Sequence, residues 1–361
     1  MMQRTKNQHS RRMQKRILSP IILLLPFLLL WTEFSMAQHG GFAGAYNRMG
    51  FGARGMGMGN ALTAVTQQGI YAHYNPALAA FVTDTQFDLS TAAMSFDRSL
   101  NSINAAFQLP PQAGINIGLQ HGGVSNFDGR SVSGNPTETF SINEMNLFIA
   151  FGLRTSDRFS LGFTAKLLYA DYFRDVSSQT GFGIDIGAFF KATESLHFGF
   201  SIRDLLSAYN WETSELYGTQ GRTTENKFPV RITFGAVYHF LETGLLISAD
   251  AEIQQQRSQS PVIIQTVGQT GGPSIRIERQ DTRTSQNMLR IGSAYEIHER
   301  ITLRGGWQFN DLDNITETHL PSLGFSLHLP YTRFSPSIDY TFLREPEGIS
   351  YMHVFGLRFT L

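Results

Sequence analysis

The sequence predicts an all-β protein, an antiparallel transmembrane β-barrel of about fourteen strands over 85–361 with a small N-terminal helical hatch over 38–84. Three observations carry this. Period-two alternation recurs in segments of about ten residues, short and long connections alternate along the chain, and charged residues share the phase opposite to the apolar ones.

Residues 1–37 read as an export signal. Arg4, Lys6, Arg11, Arg12, Lys15 and Arg16 precede the apolar run ILSPIILLLPFLLLW, and Ser35 and Ala37 put small residues where a signal peptidase cleaves. Pro20 and Pro26 interrupt a run already short for a membrane anchor. Cleavage after Ala37 leaves Gln38 as the first mature residue. The leader takes six of the 29 basic residues and one of the 29 acids, leaving 23 against 28. Such a balance supplies no basic field for nucleic acid, so none is expected as a partner. The chain has no cysteine, hence no disulfide framework and no thiolate chemistry.

Residues 38–84 are rich in Gly, Ala and Met and do not alternate. Gly50, Gly52 and Gly55 spell G-x-G-x-x-G, the spacing that cradles a dinucleotide, but no apolar strand precedes them and no P-loop Lys-Ser/Thr follows. The glycines instead suit a compact segment folded within a narrow lumen. Asn60 is placed to cap a short helix over 61–67, with Gly69 ending it. Asn75 followed by Pro76 starts a second through Phe81.

Strict alternation follows. MNLFIAFGL from Met145 and FSLGFTAKLLY from Phe159 place every second residue on an apolar face, as do VRITFGAVYHF from Val230 and LRIGSAYEI from Leu289. Strands are expected to start near residues 85, 101, 113, 143, 158, 181, 196, 229, 244, 287, 301, 320, 334 and 349. Tight turns at Pro110-Pro111, RTSD, ATES, LETG, HER and PYTR separate longer polar connections. Short turns on one rim and long loops on the other describe an outer-membrane barrel with both ends on the periplasmic side. The largest connection, roughly Gln255 to Gln286, reads as either a mobile loop or a hairpin, with Val262-Ile263-Ile264 and Ile275-Arg276-Ile277 favouring the hairpin.

The phase assigns faces. Glu144, Lys166, Asp185, Arg231, Asp250, Glu252, Arg290, Glu296, Arg304, Asp339 and Arg358 fall opposite the apolar set. A charge at the bilayer midplane costs a few kcal/mol, so this set faces the lumen, paired across the wall or to the hatch. The last strand, YMHVFGLRFTL, alternates through Phe355, Leu357, Phe359 and Leu361 and is similar to the signal read by the barrel-assembly machinery of the outer membrane.

The run ARGMGMGNALTAV, with YNPALAAF some ten residues later, resembles the N-terminal segment of the FadL-like and PorV/PorQ-like outer-membrane proteins. Arg54, Gly55, Met56, Gly57, Gly59, Ala61, Ala64, Asn75, Pro76 and Ala77 match the pattern, over Arg54 to Phe81 only. The resemblance implies a fourteen-stranded barrel with an N-terminal hatch in the Gram-negative outer membrane. It also implies one of two roles. FadL-like members pass hydrophobic molecules such as long-chain fatty acids, and PorV-like members serve the type IX secretion system. The Gly-Met-Gly form of the turn leans toward the second. An enzyme is not expected. No G-x-S-x-G or H-E-x-x-H occurs, and His239 and His353 read as strand girdle residues rather than ligands. No catalytic residue, metal or cofactor is assigned.

Overall fold

The computed structural model describes residues 43–361 except 68, 70–71, 173–175, 215–217, 222, 268–272, 311, 313–318, 330–334 and 347–349, and only the backbone over 257–282. The expected leader and its cleavage point after Ala37 lie outside these residues.

In chain order the strands are β1 (Gln86–Ala93), β2 (Arg98–Leu109), β3 (Ala113–Arg130), β4 (Pro136–Arg154), β5 (Phe159–Asp171), β6 (Gln179–Lys191), β7 (Leu196–Leu205), β8 (Ala208–Glu212), β9 (Thr223–Lys227), β10 (Val230–Phe240), β11 (Leu245–Val267), β12 (Pro273–His298), β13 (Ile301–Phe309), β14 (His319–His328), β15 (Ser335–Arg344) and β16 (Tyr351–Thr360). All but β8 and β9 join one closed barrel, so fourteen strands form the wall. Its seam pairs β1 with β16, from Gln86↔Thr360 to Ala93↔His353. Closure leaves no free strand edge along the wall, which a hydrocarbon environment requires because it offers no water to satisfy backbone groups.

The alternation is that of a two-faced sheet. On β5, Leu161 and Phe163 are 46% and 44% exposed while Thr164 between neighbouring outward residues is 1% exposed. The exposed set, which includes Leu147, Ile149, Phe151, Leu167, Ile247 and Phe325, forms the outward apolar band. Short turns such as 155–158, 192–195 and 241–244 define one rim, here the inner rim. The opposite, outer rim carries the longer connections.

Three strands run past the expected limits. β4 begins at Pro136 rather than near 143, and β11 and β12 pair without interruption from Leu245↔Tyr295 to Val267↔Pro273. The long connection after Gln255 is thus a hairpin ribbon that extends both wall strands. The 206–229 connection was not expected to hold strands, yet β8 and β9 pair there as a separate two-stranded sheet. A Cβ at Gly181 or Gly183 of β6 would overlap Ala208 O or Ser207 Oγ, so this sheet leans inward against the wall.

Two short helices, α1 (Ala45–Arg48) and α2 (Ala53–Gly57), and a 3₁₀ helix over Pro76–Phe81 precede β1. The helix expected over 61–67 does not form. Asn60 sits at φ 61, in the left-handed region, and its side chain is taken by other partners, so it caps nothing. The second expectation holds in 3₁₀ form. Asn75 Oδ1 accepts from Ala77 N at 3.0 Å and Pro76 occupies the first helical position.

Candidate functional site

The described residues of 43–81 are packed against the inward faces of the strands. Met56, Met58, Leu62, Ala64, Tyr74 and Leu78 are all buried. The interior is therefore filled by protein, and inward positions such as Thr164 and Thr233 have no free space around them.

Charged groups hold the part of this segment that precedes Asn75. A register shift between β6 and β7 and a left-handed φ of 63 at Asp204 turn that carboxylate inward. It accepts from Lys166 Nζ at 2.8 Å and Arg231 Nη2 at 2.6 Å, and from Asn47 Nδ2 of α1 at 3.1 Å. Lys166 also meets Asp185 at 2.7 Å. Beside this group Glu252 accepts from Arg203 at 2.5 Å and from Arg290 at 2.9 Å. Arg54 of α2 donates to Asp339 at 3.0 Å and to Ser337 Oγ at 2.6 Å, while Arg304 reaches Asp339 through Ser326. Thr63 donates its N–H and hydroxyl to Asp250 Oδ2 at 3.0 and 2.7 Å. Arg358 pairs with Asp88 at 2.9 Å. Burying charges is costly unless partners satisfy them, and here each carboxylate is given cations or hydrogen-bond donors.

Of the expected inward charges, the structure places Lys166, Asp185, Arg231, Asp250, Glu252, Arg290, Arg304, Asp339 and Arg358 in the interior. Glu144 is half-buried and accepts from Tyr209 Oη at 3.3 Å. Glu296 is exposed at the inner rim, where a bulge between Glu296 and His298 breaks the phase. Phe355 and Leu361 are exposed on the outward side of β16, with Leu357 and Phe359 half-buried. His353 is also outward, meeting Tyr340 Oη at 2.8 Å. His239, expected in a girdle, faces inward and is buried instead.

The Arg-Gly-Met-Gly turn is the body of α2. Gly55 packs on Tyr74 and Leu62, Gly57 faces Thr341, and Gly59, at φ 60, lies on the Trp307 backbone. Gly50 and Gly52 adopt φ 93 and 83, conformations open mainly to glycine. Asn60 accepts from Tyr74 Oη at 2.6 Å and donates to Gln308 and to Met49 O at 3.1 Å, tying the segment to itself and to β13. The G-x-G-x-x-G spacing thus serves tight folding inside the barrel.

Asn75–Phe81 is held differently. Gly114, Gly152, Gly162 and Gly187 are directly registered across β3, β4, β5 and β6, forming one bare row on the inward face. A Cβ at Gly114 would overlap Ala79 O, at Gly152 Ala80 N, at Gly162 Ala77 N, and at Gly187 Asn75 Oδ1. The 3₁₀ helix therefore rests backbone on backbone. Asn75 Nδ2 donates to Thr63 O at 2.8 Å and Ala188 O at 3.0 Å, and Ser160 Oγ donates to Ala77 O at 3.2 Å. Sequence reading missed this row, although its signal was present as a glycine flanked by apolar residues in FGL, LGF and IGA.

Between the segment and the upper parts of β15, β16, β1 and β2 the interior changes character. Tyr46, Phe51, Ala53 and Met56 pack on Ala92, Leu100, Leu343, Met352 and Val354, with Met49 and Met94 alongside. This sector is apolar and methionine-rich, and methionine adapts readily to varied shapes. At the outer mouth Ala43, Leu168, Ala170, Tyr209 and Phe228 form a second apolar cluster, and Tyr172 stacks on Trp211 at 4.9 Å. His73 of the segment lies among Phe51, Tyr74 and Phe148. Burial, then the nearby Arg203, Arg231 and Lys166, pushes its imidazole well below the usual range, so it is neutral. Among the described residues no group of three His, Asp or Glu is placed to hold a metal.

No family model matches the chain, and no curated protein matches it either. Solved structures do. The toluene transporter TodX of Pseudomonas putida is 15% identical, with 86% of this chain and 97% of that chain covered at a TM-score of 0.55. The monoaromatic hydrocarbon channel CymD is 12% identical over 89% of this chain and 98% of its own, with a TM-score of 0.57. A FadL homologue of Pseudomonas aeruginosa is 11% identical over 85% and 97%, with a TM-score of 0.54. The chain has the fold of FadL-type outer-membrane channels.

Proposed function

We propose that this chain is a passive outer-membrane channel for hydrophobic small molecules, exported with a leader ending at Ala37 and plugged by residues 38–84. The observation that carries this reading is the methionine-rich apolar sector between α2 and the walls of β15, β16, β1 and β2. A membrane barrel that passed only ions would have no use for a packed, methionine-rich apolar boundary between plug and wall. Charges here are consumed in pairing, whereas Met56, Leu100, Leu343 and Met352 offer adaptable apolar surface on both sides of one boundary. Two proteins that share the fold are named as hydrocarbon channels, which supports the same class of solute for this one. Chemistry at the site is binding and release rather than catalysis. The polar groups serve to fix the plug. The C-terminal Phe355, Leu357, Phe359 and Leu361 fit recognition by the barrel-assembly machinery, and the outward band fits outer-membrane lipid.

The second reading, service to the type IX secretion system, rests on the Gly-Met-Gly form of the turn at Gly55 to Gly57. The two separate in one experiment. Uptake of radiolabelled oleate and toluene is measured in Gram-negative cells lacking their own FadL-type channel and expressing this chain or its Met352→Glu variant. The channel reading expects uptake above background that falls several-fold in Met352→Glu. Background uptake with the intact, membrane-inserted protein would sink it.

A further inference from the structure

We propose that His197 and His239 form a two-histidine site for a divalent transition-metal ion, set on the inward face of the wall where β7 and β10 pair. Neither residue belongs to the methionine-rich sector, and the site does not depend on the channel reading above.

Strand register brings the two rings together. Val237 of β10 lies opposite His197 of β7, and His239, two residues further on, shares the inward face of its strand with Val237. Diagonal neighbours of this kind stand within reach of ring side chains. The site lies just inside the inner rim. His197 follows the 192–195 turn, His239 precedes the 241–244 turn, and His239 N donates to Ser195 O at 2.7 Å. Strands β7 and β10 are neighbours in the wall but are separated in the chain by β8 and β9. An ion held by both rings would clasp these two strands together.

The chemistry of the pair is that of ligands without a ligated atom. The two residues are only 5% and 7% exposed. Both ring nitrogens of His197 and Nε2 of His239 are buried with no hydrogen-bond partner among the described residues. The neighbours supply none: Phe189 meets His197 edge-on at 5.3 Å, Val237 lies opposite His197, and Leu246 lies opposite His239. Buried polar atoms left unpaired carry a desolvation penalty. A neutral imidazole keeps one nitrogen as a lone-pair donor, so one ion between two such rings satisfies both lone pairs at once. Two imidazoles on one tetrahedral ion, with metal–nitrogen distances of about 2.0 Å, have ring centres roughly 5 Å apart. The centroids here are 4.9 Å apart. Imidazole nitrogen suits zinc, copper and nickel, whereas magnesium and calcium need oxygen ligands. The nearby Lys191 charge is already met by Glu194 at 2.6 Å. Among the described residues no third His, Asp or Glu completes the set, so the remaining positions on the ion fall to water from the rim.

The test uses the purified full-length protein in detergent, stripped of metal and titrated with Cu²⁺. Wild type should bind one equivalent more than His197→Phe or His239→Phe, with heat-modifiable migration showing closed barrels in all three. The copper spectrum of wild type should carry the hyperfine pattern of two imidazole nitrogens, and both variants should lose it. Equal stoichiometry and equal spectra in wild type and the two intact variants would overturn the site. A second measurement needs no variant. Ascorbate added to the equimolar Cu²⁺ complex oxidises the histidines that hold the metal, and mass spectrometry maps them. Oxidation at His197 and His239 is the expected result, and oxidation confined to other histidines would overturn the proposal.

Discussion

The two halves of the N-terminal segment occupy one barrel and are fixed to it by opposite means. Over α1 and α2 the segment engages ionised groups: Asn47 meets an aspartate shared by Lys166 and Arg231, and Arg54 meets Asp339. Near the inner rim, the 3₁₀ helix meets a row of four wall glycines, with Ser160 and Phe189 beside it. Ion pairs fix position because a misplaced charge in a dry interior is very costly. A bare glycine surface fixes position by shape, helped here by the neutral hydrogen bonds of Asn75 and Ser160.

The sharpest way to break this contrast is at its electrostatic end. Asp204→Ala strips two buried cations and Asn47 of a common acceptor, and should lower stability by about 3–5 kcal/mol, as removal of one partner from a buried pair does. Urea unfolding in detergent micelles would measure it, and a loss below about 1 kcal/mol would show that the cluster does not fasten the plug. A middle-sized effect is expected at Gly57, whose added side chain would press on Thr341 Oγ1 and the Arg304 stem. Gly57→Val should cost about 1–3 kcal/mol through overpacking, read in the same way. At the neutral end, Asn75→Ala should cost about 1 kcal/mol for the lost cap. Equal losses at Asp204 and Asn75 would erase the contrast between the halves.

How much of this was legible in the sequence follows the same division. The wall was readable because each strand repeats apolar-polar alternation, and an Arg or Asp in the polar phase has nowhere to face but inward; each of the fourteen expected strands is present, although β4 and β12 begin earlier than that pattern put them. The Asn-Pro start at Asn75 was readable because its cap is local, formed within three residues. The rest depended on partners far along the chain. Asn60 looks like a cap for 61–67, but Tyr74, Met49 and Gln308 claim its side chain, and helix appears instead over Ala53–Gly57. Three of the flanking and internal residues there are glycines, poor helix formers, so tertiary contacts override propensity. The glycine row was hidden for a related reason. A glycine in a strand reads as a gap in the alternation until the other three across the sheet are known to share its level. Likewise the polar phase alone does not show that the lumen is filled, which leaves the inward Thr164 and Thr233 only 1% and 0% exposed.

The central claim is that the N-terminal segment closes the barrel from within. Single-channel conductance in planar bilayers tests it most directly, comparing the full-length protein with one lacking 43–81. The intact protein should show small, rare conductance steps. The shortened one, its barrel confirmed by heat-modifiable migration, should show steps several-fold larger as water and ions enter the vacated lumen. Equal conductance from the two proteins would contradict the account, because the segment would then not be what closes the barrel.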